Sequence, residues 1–594
     1  MALAYKSKFY RIAIAIDFGT ARSGYAYQFF EDKDVKEPIF RNRWPDTNES
    51  YPKTPTEILF NANGAIEAWG HSARKRLTQL REEASDRGAI LIENFKTLLH
   101  EGKDRDQNGP FIMREGKKFS VVNLIAEFLE RIKDVALQDI AKTLGGEGLL
   151  DENEIRWCLT VPAVWSENSK QIMTHAAQQA GLIGEGTQEL ERLLLVLEPE
   201  AAAVHCQQEM LRQNQGSLES GKTIMIVDAG GGTVDITVHE VQMGTGLDEL
   251  VPCSGGLHGS KYVDKNFRDF LNRKFGMEAM DEFETQWPVD YAKTMGENWE
   301  SIKCSYDATA DWKSSFELPR RLEKILENSY PHTLDELADS QGGDNTVIRL
   351  TQDDMQGIFK NVVDELIDKV RQQFNALKGR KCDILFLVGG FAESPVLKQR
   401  IQQEFGDQVE RVVIPDRPGA AVLLGAASFG VNPGVVIARR SRLTYGTQVE
   451  MDFDEKLDSK HGERVSAYDR GRKYARHFSS DGCRNRFDSF VAAGDRIPSE
   501  MTVIREYIVS PNASRLNITF LATANPKVRY TTIEEDEITE IAQVDIEFPH
   551  QSSDGSPREM QIEMQFGQSQ IIAYVIDSAS GNRERCEFRF SSGY

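Results

Sequence analysis

Two turns of the same design, far apart in the chain, set the terms for everything between them. Ile12, Ile14 and Ile16 alternate ahead of Asp17-Phe18-Gly19-Thr20, and Tyr25, Tyr27 and Phe29 alternate after it. Period-two alternation broken by an acidic, glycine-bearing stretch is the pattern of strand, tight turn, strand. The layout returns at Asp228-Ala229-Gly230-Gly231-Gly232-Thr233, with Ile224, Ile226 and Val227 before the turn and Val234, Ile236 and Val238 after it. Such an internal repeat predicts two similar lobes facing one another. Either turn alone reads as a hairpin with an acidic glycine turn; two on matching frames point to a shared ligand.

The residue types say which ligand. A polyphosphate needs backbone N–H donors close to its oxygens, and glycine lets the chain approach while taking the required dihedrals. Gly230, Gly231 and Gly232 supply that, and the Thr20 and Thr233 hydroxyls add donors. Carboxylates beside phosphates repel unless a cation intervenes, so Asp17, Asp228 and Asp235 imply a hydrated Mg²⁺ bridging phosphate oxygens. Gly389-Gly390, between the apolar run Ile384 to Val388 and a helix opened by Ser394-Pro395, leaves a surface that can accept the flat face or sugar of a nucleotide.

Gly216-Ser217-Leu218-Glu219-Ser220-Gly221-Lys222-Thr223 has the spacing of a P-loop, but it follows a predicted helix and leads into a strand, the reverse of the required order. It reads as a surface connection. Lys96 falls in a stretch, about 65–150, whose apolar residues recur at helical spacing, and by default it is the exposed edge of an amphipathic helix. Glu198 follows the buried run Leu193 to Leu197 and opens Glu198-Pro199-Glu200-Ala201-Ala202-Ala203, where proline suits a first helical turn and the alanines permit close backbone approach. The histidines form no His-x-x-x-His or Cys/His cluster, and no Gly-x-Ser-x-Gly elbow appears.

At 594 residues the chain exceeds one hydrophobic core. Beyond Pro433 helical periodicity fades into short alternating segments: Thr502 to Val509, Leu516 to Leu521, Val544 to Phe548, Met560 to Phe566, Ile571 to Ile576 and Cys586 to Phe590. These predict a separate β-sandwich. An excess of 92 acidic over 71 basic residues, net −21, disfavours general nucleic-acid binding. The short basic clusters Arg439-Arg440-Ser441-Arg442 and Arg470-Gly471-Arg472-Lys473 read as solvated surface. No apolar run is long enough for a membrane span. The first residues lack the apolar core of an export signal, and seven scattered cysteines suit a reducing compartment, so a cytoplasmic location is expected, with the nucleus left open.

In this order, Asp17-x-Gly-Thr20, Thr160-Val161-Pro162-Ala163, Glu198-Pro199-x-Ala-Ala-Ala203, Asp228-x-Gly-Gly-Gly-Thr-x-Asp235 and Val388-Gly-Gly390 resemble the 70-kDa heat-shock protein family. Ile16 to Tyr27, Phe386 to Glu393 and Leu443-Thr444-Tyr445-Gly446 are most similar to its divergent twelve-type branch. The resemblance implies an α/β, two-lobed actin-like ATPase domain over 11–432, lobe I about 11–205 and lobe II about 222–432, preceded by a tail, 1–10. It implies a linker, 433–440, and a β-sandwich, 441–594, as well; as departures from the family pattern, the linker is weak and no helical lid over the sandwich is expected. It also implies ATP or ADP with Mg²⁺ as ligands. Lys96 would place the attacking water, with Glu198, Asp228 and Asp235 assisting, while Asp17 and Asp228 hold the hydrated metal. Gly19, Thr20, Ala21 and Arg22 would cradle phosphate with Gly230, Gly231, Gly232 and Thr233, and Glu300, Lys303, Gly389, Gly390 and Phe391 would line the adenosine side.

Some positions depart from the family pattern. Ala21 and Arg22 replace a threonine and a tyrosine, removing hydroxyls and adding a cation, and Cys304 replaces an arginine that would stack on the base. Three readings stay open on the sequence. One is a chaperone-like ATPase whose β-domain binds polypeptide or a protein partner. The others are a nucleotide-binding scaffold with negligible turnover and an actin-fold kinase of small molecules, against which the terminal β-domain argues.

Overall fold

The computed structural model describes residues 10–31, 37–83, 88–101, 105–106, 109–146, 148–213, 218–243, 246–308, 312–547, 556–566, 571–578, 581 and 583–586. The chain divides into two compact units, 1–164 with 176–238 and 254–432, and 165–175 with 239–253 and 433–594. Among the described residues no helix is long and apolar enough to cross a membrane.

In the first unit, strand Ile12–Asp17 is buried along its whole length, as its Ile and Ala content requires. It runs parallel to Ile155–Val161 and antiparallel to Arg22–Phe29, and Leu193–Leu197 adds in parallel beyond Ile155–Val161. The second half repeats the order: Arg411–Val413, Ile384–Val388, Thr223–Ala229 and Val234–Val241 follow one another across their sheet. Thr223–Ala229 is parallel to Ile384–Val388, the counterpart of Ile12–Asp17 beside Ile155–Val161. Helix Glu198–Arg212 meets helix Ala421–Val431 so closely that a Cβ on Gly425 would stand 1.7 Å from the Ala201 carbonyl oxygen. The small residues of both helices serve that approach, as expected for Ala201 to Ala203.

The helical reading of 65–150 needs correction. Helices His71–Glu82, Leu98–Glu101 and Val121–Leu144 are present, but strands Ile66–Trp69, Ile90–Glu93, Gly109–Arg114 and Lys117–Ser120 lie among them. Glu57–Phe60, ahead of the stretch, pairs antiparallel with both Ile66–Trp69 and Ile90–Glu93. A strand partner outside the window decides their conformation, which local periodicity does not register.

In the second unit two antiparallel sheets share one hydrophobic core. The five-stranded sheet has the order Arg464–Val465, Gly482–Val491, Thr444–Asp452, Arg515–Thr523, Thr539–Glu547, and the four-stranded one Thr502–Val509, Arg558–Gln565, Ile572–Asp577, Arg583–Cys586. Phe490, Phe520 and Ala542 of the first pack in the same cluster as Val503, Ile562, Met564 and Val575 of the second. Phe548 and residues 587–590 of the expected strands lie outside the described residues. Segment 433–440 holds the 3-10 turn Pro433–Val435 and strand Val436–Arg440, which pairs with Arg496–Pro498.

Neither basic cluster is simply solvated. Arg470 is buried on helix Ala467–Tyr474, with its Nε donating to Glu450 at 2.8 Å and its Nη1 to Asp452 at 2.6 Å. Arg440 donates from Nε to the Glu249 carbonyl, and Arg442 from Nη2 to the Trp165 carbonyl. Burying a charge is tolerated where it finds such partners, and these are supplied by distant segments.

Candidate functional site

Each repeated turn is held by its own frame. The Gly19 amide donates to Ser23 Oγ at 3.1 Å, and Thr56 Oγ1 donates to the Gly19 carbonyl at 2.9 Å while bonding Ser23 Oγ at 2.7 Å. In the second turn the Gly230 amide donates to the Thr233 carbonyl at 2.9 Å, and the Ser260 and Lys261 amides cap the carbonyls of Gly230 and Gly231. The turns meet face to face. A Cβ on Gly232 would lie 2.6 Å from Thr20 Oγ1, and one on Gly231 would lie 3.1 Å from the Ala21 methyl. Glycine at 232 keeps clear of the Thr20 side chain, and at 231 it spares a tight contact with Ala21.

The charged groups cluster at the strand ends. Thr160 Oγ1 donates to Asp17 Oδ1 at 2.8 Å, and the Lys53 ammonium lies 2.6 Å from Asp17 Oδ2. Burial raises the Asp17 carboxyl, but Lys53, with Lys96 and Thr160, holds it below the usual carboxylate range. Asp228 goes the other way: burial and the neighbouring negative charges of Glu198 and Asp235 push it well above that range. Asp235 accepts the Ala163 and Val164 amides at 2.8 and 3.3 Å, yet burial and Glu198 raise it to about 7. Glu198 is raised by burial against the pull of Lys96, whose Nζ donates to it at 2.7 Å.

Lys96 is therefore not on an exposed helical edge. Asn94 takes a left-handed φ of 60°, and the following 3-10 turn Phe95–Thr97 carries Lys96 inward to 4% exposure. A short turn after strand Ile90–Glu93 does what a helix there would prevent.

Gly389 follows strand Ile384–Val388 at φ 89°, where a Cβ would stand 2.3 Å from the Ala229 carbonyl oxygen and 2.5 Å from Asp228 Oδ1. The next residue, Gly390, would meet nothing within 4 Å, so its surface is open, while Phe391 is buried beneath. Glu300 and Lys303 stand apart from the carboxylate cluster. Lys303 is buried, bonded to Asp264 at 2.8 Å and to Glu300 at 2.6 Å. Glu393 connects the regions, since its carboxyl, raised first by burial, feels Arg22, Lys53 and Glu300. Arg22 is not a free cation: it pairs with Glu49 at 2.9 Å and lies 5.1 Å over the Tyr51 ring.

Lys53, Thr56 and Thr160 carry interactions that sequence reasoning did not assign to them. Thr160 stands in Thr160-Val161-Pro162-Ala163, at the end of strand Ile155–Val161, so its strand is a usable signal. Lys53 sits in Pro52-Lys53-Thr54-Pro55, where no local pattern reveals that strand Thr54–Pro55 pairs with Arg22–Phe29. The P-loop-like stretch takes no part in the site. Lys222 bonds Asp383 and Glu410 at 3.3 and 3.0 Å, and Thr223 opens a buried strand, while Gly216 and Ser217 lie outside the described residues.

Among the described residues no three His, Cys, Asp or Glu side chains form a group that could hold a metal directly. Asp17, Glu198, Asp228 and Asp235 nonetheless feel one another's charge. That donor set fits a cation bound through water and phosphate oxygens, the habit of Mg²⁺, rather than an all-protein cage.

Duplicated sheets with opposed acid and glycine turns at their strand ends define a nucleotide-binding protein of the actin-like ATPase fold. The family model described as Hsp70 protein matches residues 92–457. Heat shock 70 kDa protein 12A of Homo sapiens is 30% identical over 630 residues, covering 96% of this chain and 90% of that protein. Heat shock 70 kDa protein 12B of Homo sapiens is 28% identical, covering 98% and 91%. Chaperone protein DnaK of Thermosipho melanesiensis is 26% identical, covering 74% and 63%. The chain belongs to the Hsp70 family, in its twelve-type branch.

Proposed function

We propose that this protein binds Mg-ATP between its two opposed turns and hydrolyses it to ADP and phosphate, with a C-terminal β-sandwich, 441–594, that binds polypeptide or a protein partner. The observation that carries the reading is the buried Lys96–Glu198 pair, 2.7 Å apart, in the same charged cluster as Asp17, Asp228 and Asp235. Phosphoryl transfer asks mainly for positioning and charge neutralisation. Here Lys96 orients the attacking water and Glu198 fixes the Lys96 ammonium. Asp235, held by the Ala163 and Val164 amides, offers a proton acceptor raised to about 7. Gly19 to Arg22 and Gly230 to Thr233 seat the phosphates, while Glu300, Lys303 and Gly389 to Phe391 line the adenosine side. When bound, Mg²⁺ at Asp228 and Asp17 would neutralise charge on the phosphate oxygens. The reading includes a cytoplasmic location, which seven scattered cysteines with no Cys-x-x-Cys pair suit.

A second reading, a nucleotide-binding scaffold with negligible turnover, is favoured by particular residues: Ala21 brings a methyl where a hydroxyl would donate, and Arg22 is spent on Glu49 and Tyr51. Single-turnover hydrolysis by the purified chain separates the two. Release of phosphate above a nucleotide blank, lost in Asp228→Ala and Lys96→Ala proteins that still fold, supports the ATPase. Wild-type release no faster than the blank selects the scaffold.

A further inference from the structure

Lys53 lies among the charged groups of the phosphate region, yet the chemistry above gives it no task. Its position is built by the sheet. Strand Thr54–Pro55 pairs antiparallel with Arg22 and Ser23, which brings Lys53 alongside Gly24, and Gly24 is the register partner of Asp17. With no side chain at Gly24 the lysine stem can cross that strand. A Cβ there would lie 3.1 Å from Lys53 Cγ and 2.4 Å from the Pro52 carbonyl oxygen. The ammonium ends 2.6 Å from Asp17 Oδ2, with the lysine side chain only 14% exposed. Its field also reaches Asp228 and Glu198. Thr160 holds the other Asp17 oxygen, so both oxygens of that carboxylate are already engaged.

An ammonium is a compact point charge, and one shielded from water acts on carboxylate and phosphate far more strongly than a surface lysine does. The geometry points to Lys53 as a built-in cation of the polyphosphate pocket, taking at Asp17 the place that a hydrated divalent cation would otherwise hold, so that nucleotide binding depends only weakly on Mg²⁺. The inference rests on the nucleotide-site reading and replaces one part of it: Asp17 is given to Lys53, and Asp228 is left to hold the hydrated ion. The divalent ion then matters to turnover more than to affinity.

The test is titration of the full chain with a fluorescent ATP analogue, once in Mg²⁺ and once in EDTA, with the thermal midpoint of each protein as a second measure of occupancy. Wild-type affinity should fall less than about tenfold in EDTA, and Lys53→Met should lose at least about tenfold more there, since the carboxylate it strands repels phosphate. Lys53→Arg should stay near wild type. Asp17→Asn frees the ammonium for phosphate and should bind at least as tightly as wild type in both buffers. Equal Mg²⁺-to-EDTA ratios in wild type and Lys53→Met overturn the inference. So does a loss of about tenfold by Asp17→Asn in Mg²⁺, which would return Asp17 to the metal. If Lys53→Met melts without a cooperative transition, the Asp17→Asn arm decides alone. Wild type that binds no nucleotide in Mg²⁺ refutes the nucleotide site itself and the inference with it, a result distinct from the others.

Discussion

Lys96 Nζ donates to Glu198 Oε1 across 2.7 Å, and the two side chains are only 4% and 10% exposed. The pair joins a 3-10 turn to the first residue of helix Glu198–Arg212. It has both a structural and a chemical consequence, and these can be separated. Lys96→Ala strands a buried carboxylate and should cost about 3 kcal/mol of stability. Adding Glu198→Gln removes the stranded charge and should recover most of that loss in thermal melts. Turnover should stay depressed by about 100-fold in both variants, because neither restores the water-positioning cation. A double variant that hydrolyses ATP at the wild-type rate would make the pair purely structural.

Gly389 tests the contact between the strand ends. Its φ of 89° and the approach of Ala229 O and Asp228 Oδ1 leave no room for a methyl. Gly389→Ala should cost about 1–3 kcal/mol from backbone strain alone and should displace Asp228. Nucleotide affinity should fall with it, whereas Gly390→Ala, which meets nothing within 4 Å, should melt within a degree or two of wild type. Calorimetric melting with and without ATP reads both effects.

Acid stability should be governed in the second unit by Asp458. Burial would raise its carboxyl, but the Asp454 amide, Tyr530, Arg529 and Arg486 hold it down at about 2. Because the folded value is below the unfolded one, its contribution is present above the unfolded pKa and is lost as pH falls from about 4 toward 2, some ~2 kcal/mol in all. Asp458→Asn should be less stable at pH 7 and should lose less on acidification. Asp235, raised to about 7, has the opposite sign: stability is full below its unfolded value and is lost as pH rises through 7. Asp235→Asn should flatten that upper limb in the nucleotide-free protein.

How far the sequence could carry this structure differs from residue to residue. The two turns, the buried strand before Glu198 and the alternation beyond Pro433 are local patterns, and local patterns survive folding when no distant partner opposes them. Strands Ile66–Trp69 and Ile90–Glu93 were obscured because their common partner, Glu57–Phe60, lies outside the stretch that looked helical. Lys96 was legible through family resemblance and misread from periodicity, since one left-handed residue, Asn94, redirects the chain. Lys53 was hidden for a deeper reason. Its reach to Asp17 depends on the register of a two-residue strand and on a glycine in the strand between, and neither leaves a motif.

Arg470 owes its place in the β-unit to distant partners in the same way. The run Arg470-Gly471-Arg472-Lys473 has the composition of a solvated patch, yet helix Ala467–Tyr474 presents its members unequally: Arg470 is buried while Arg472 and Lys473 are exposed. Glu450, on strand Thr444–Asp452 with its side chain only 8% exposed, accepts from Arg470 Nε, and the Ser480 carbonyl accepts from Nη1. Truncating Arg470 leaves Glu450 only the longer contact to the exposed Lys473, 3.7 Å away, so Arg470→Ala should destabilise the unit by roughly 3 kcal/mol. Arg472→Ala, removing an equal charge from the same helix, should stay within about 0.5 kcal/mol of wild type. Replacing Arg470 and Glu450 together by Met and Leu should recover stability, since a buried ion pair exchanged for packed apolar groups is often neutral. Denaturant melts of the three proteins measure the differences. Equal effects of Arg470→Ala and Arg472→Ala would mean that the cluster acts only through its net charge.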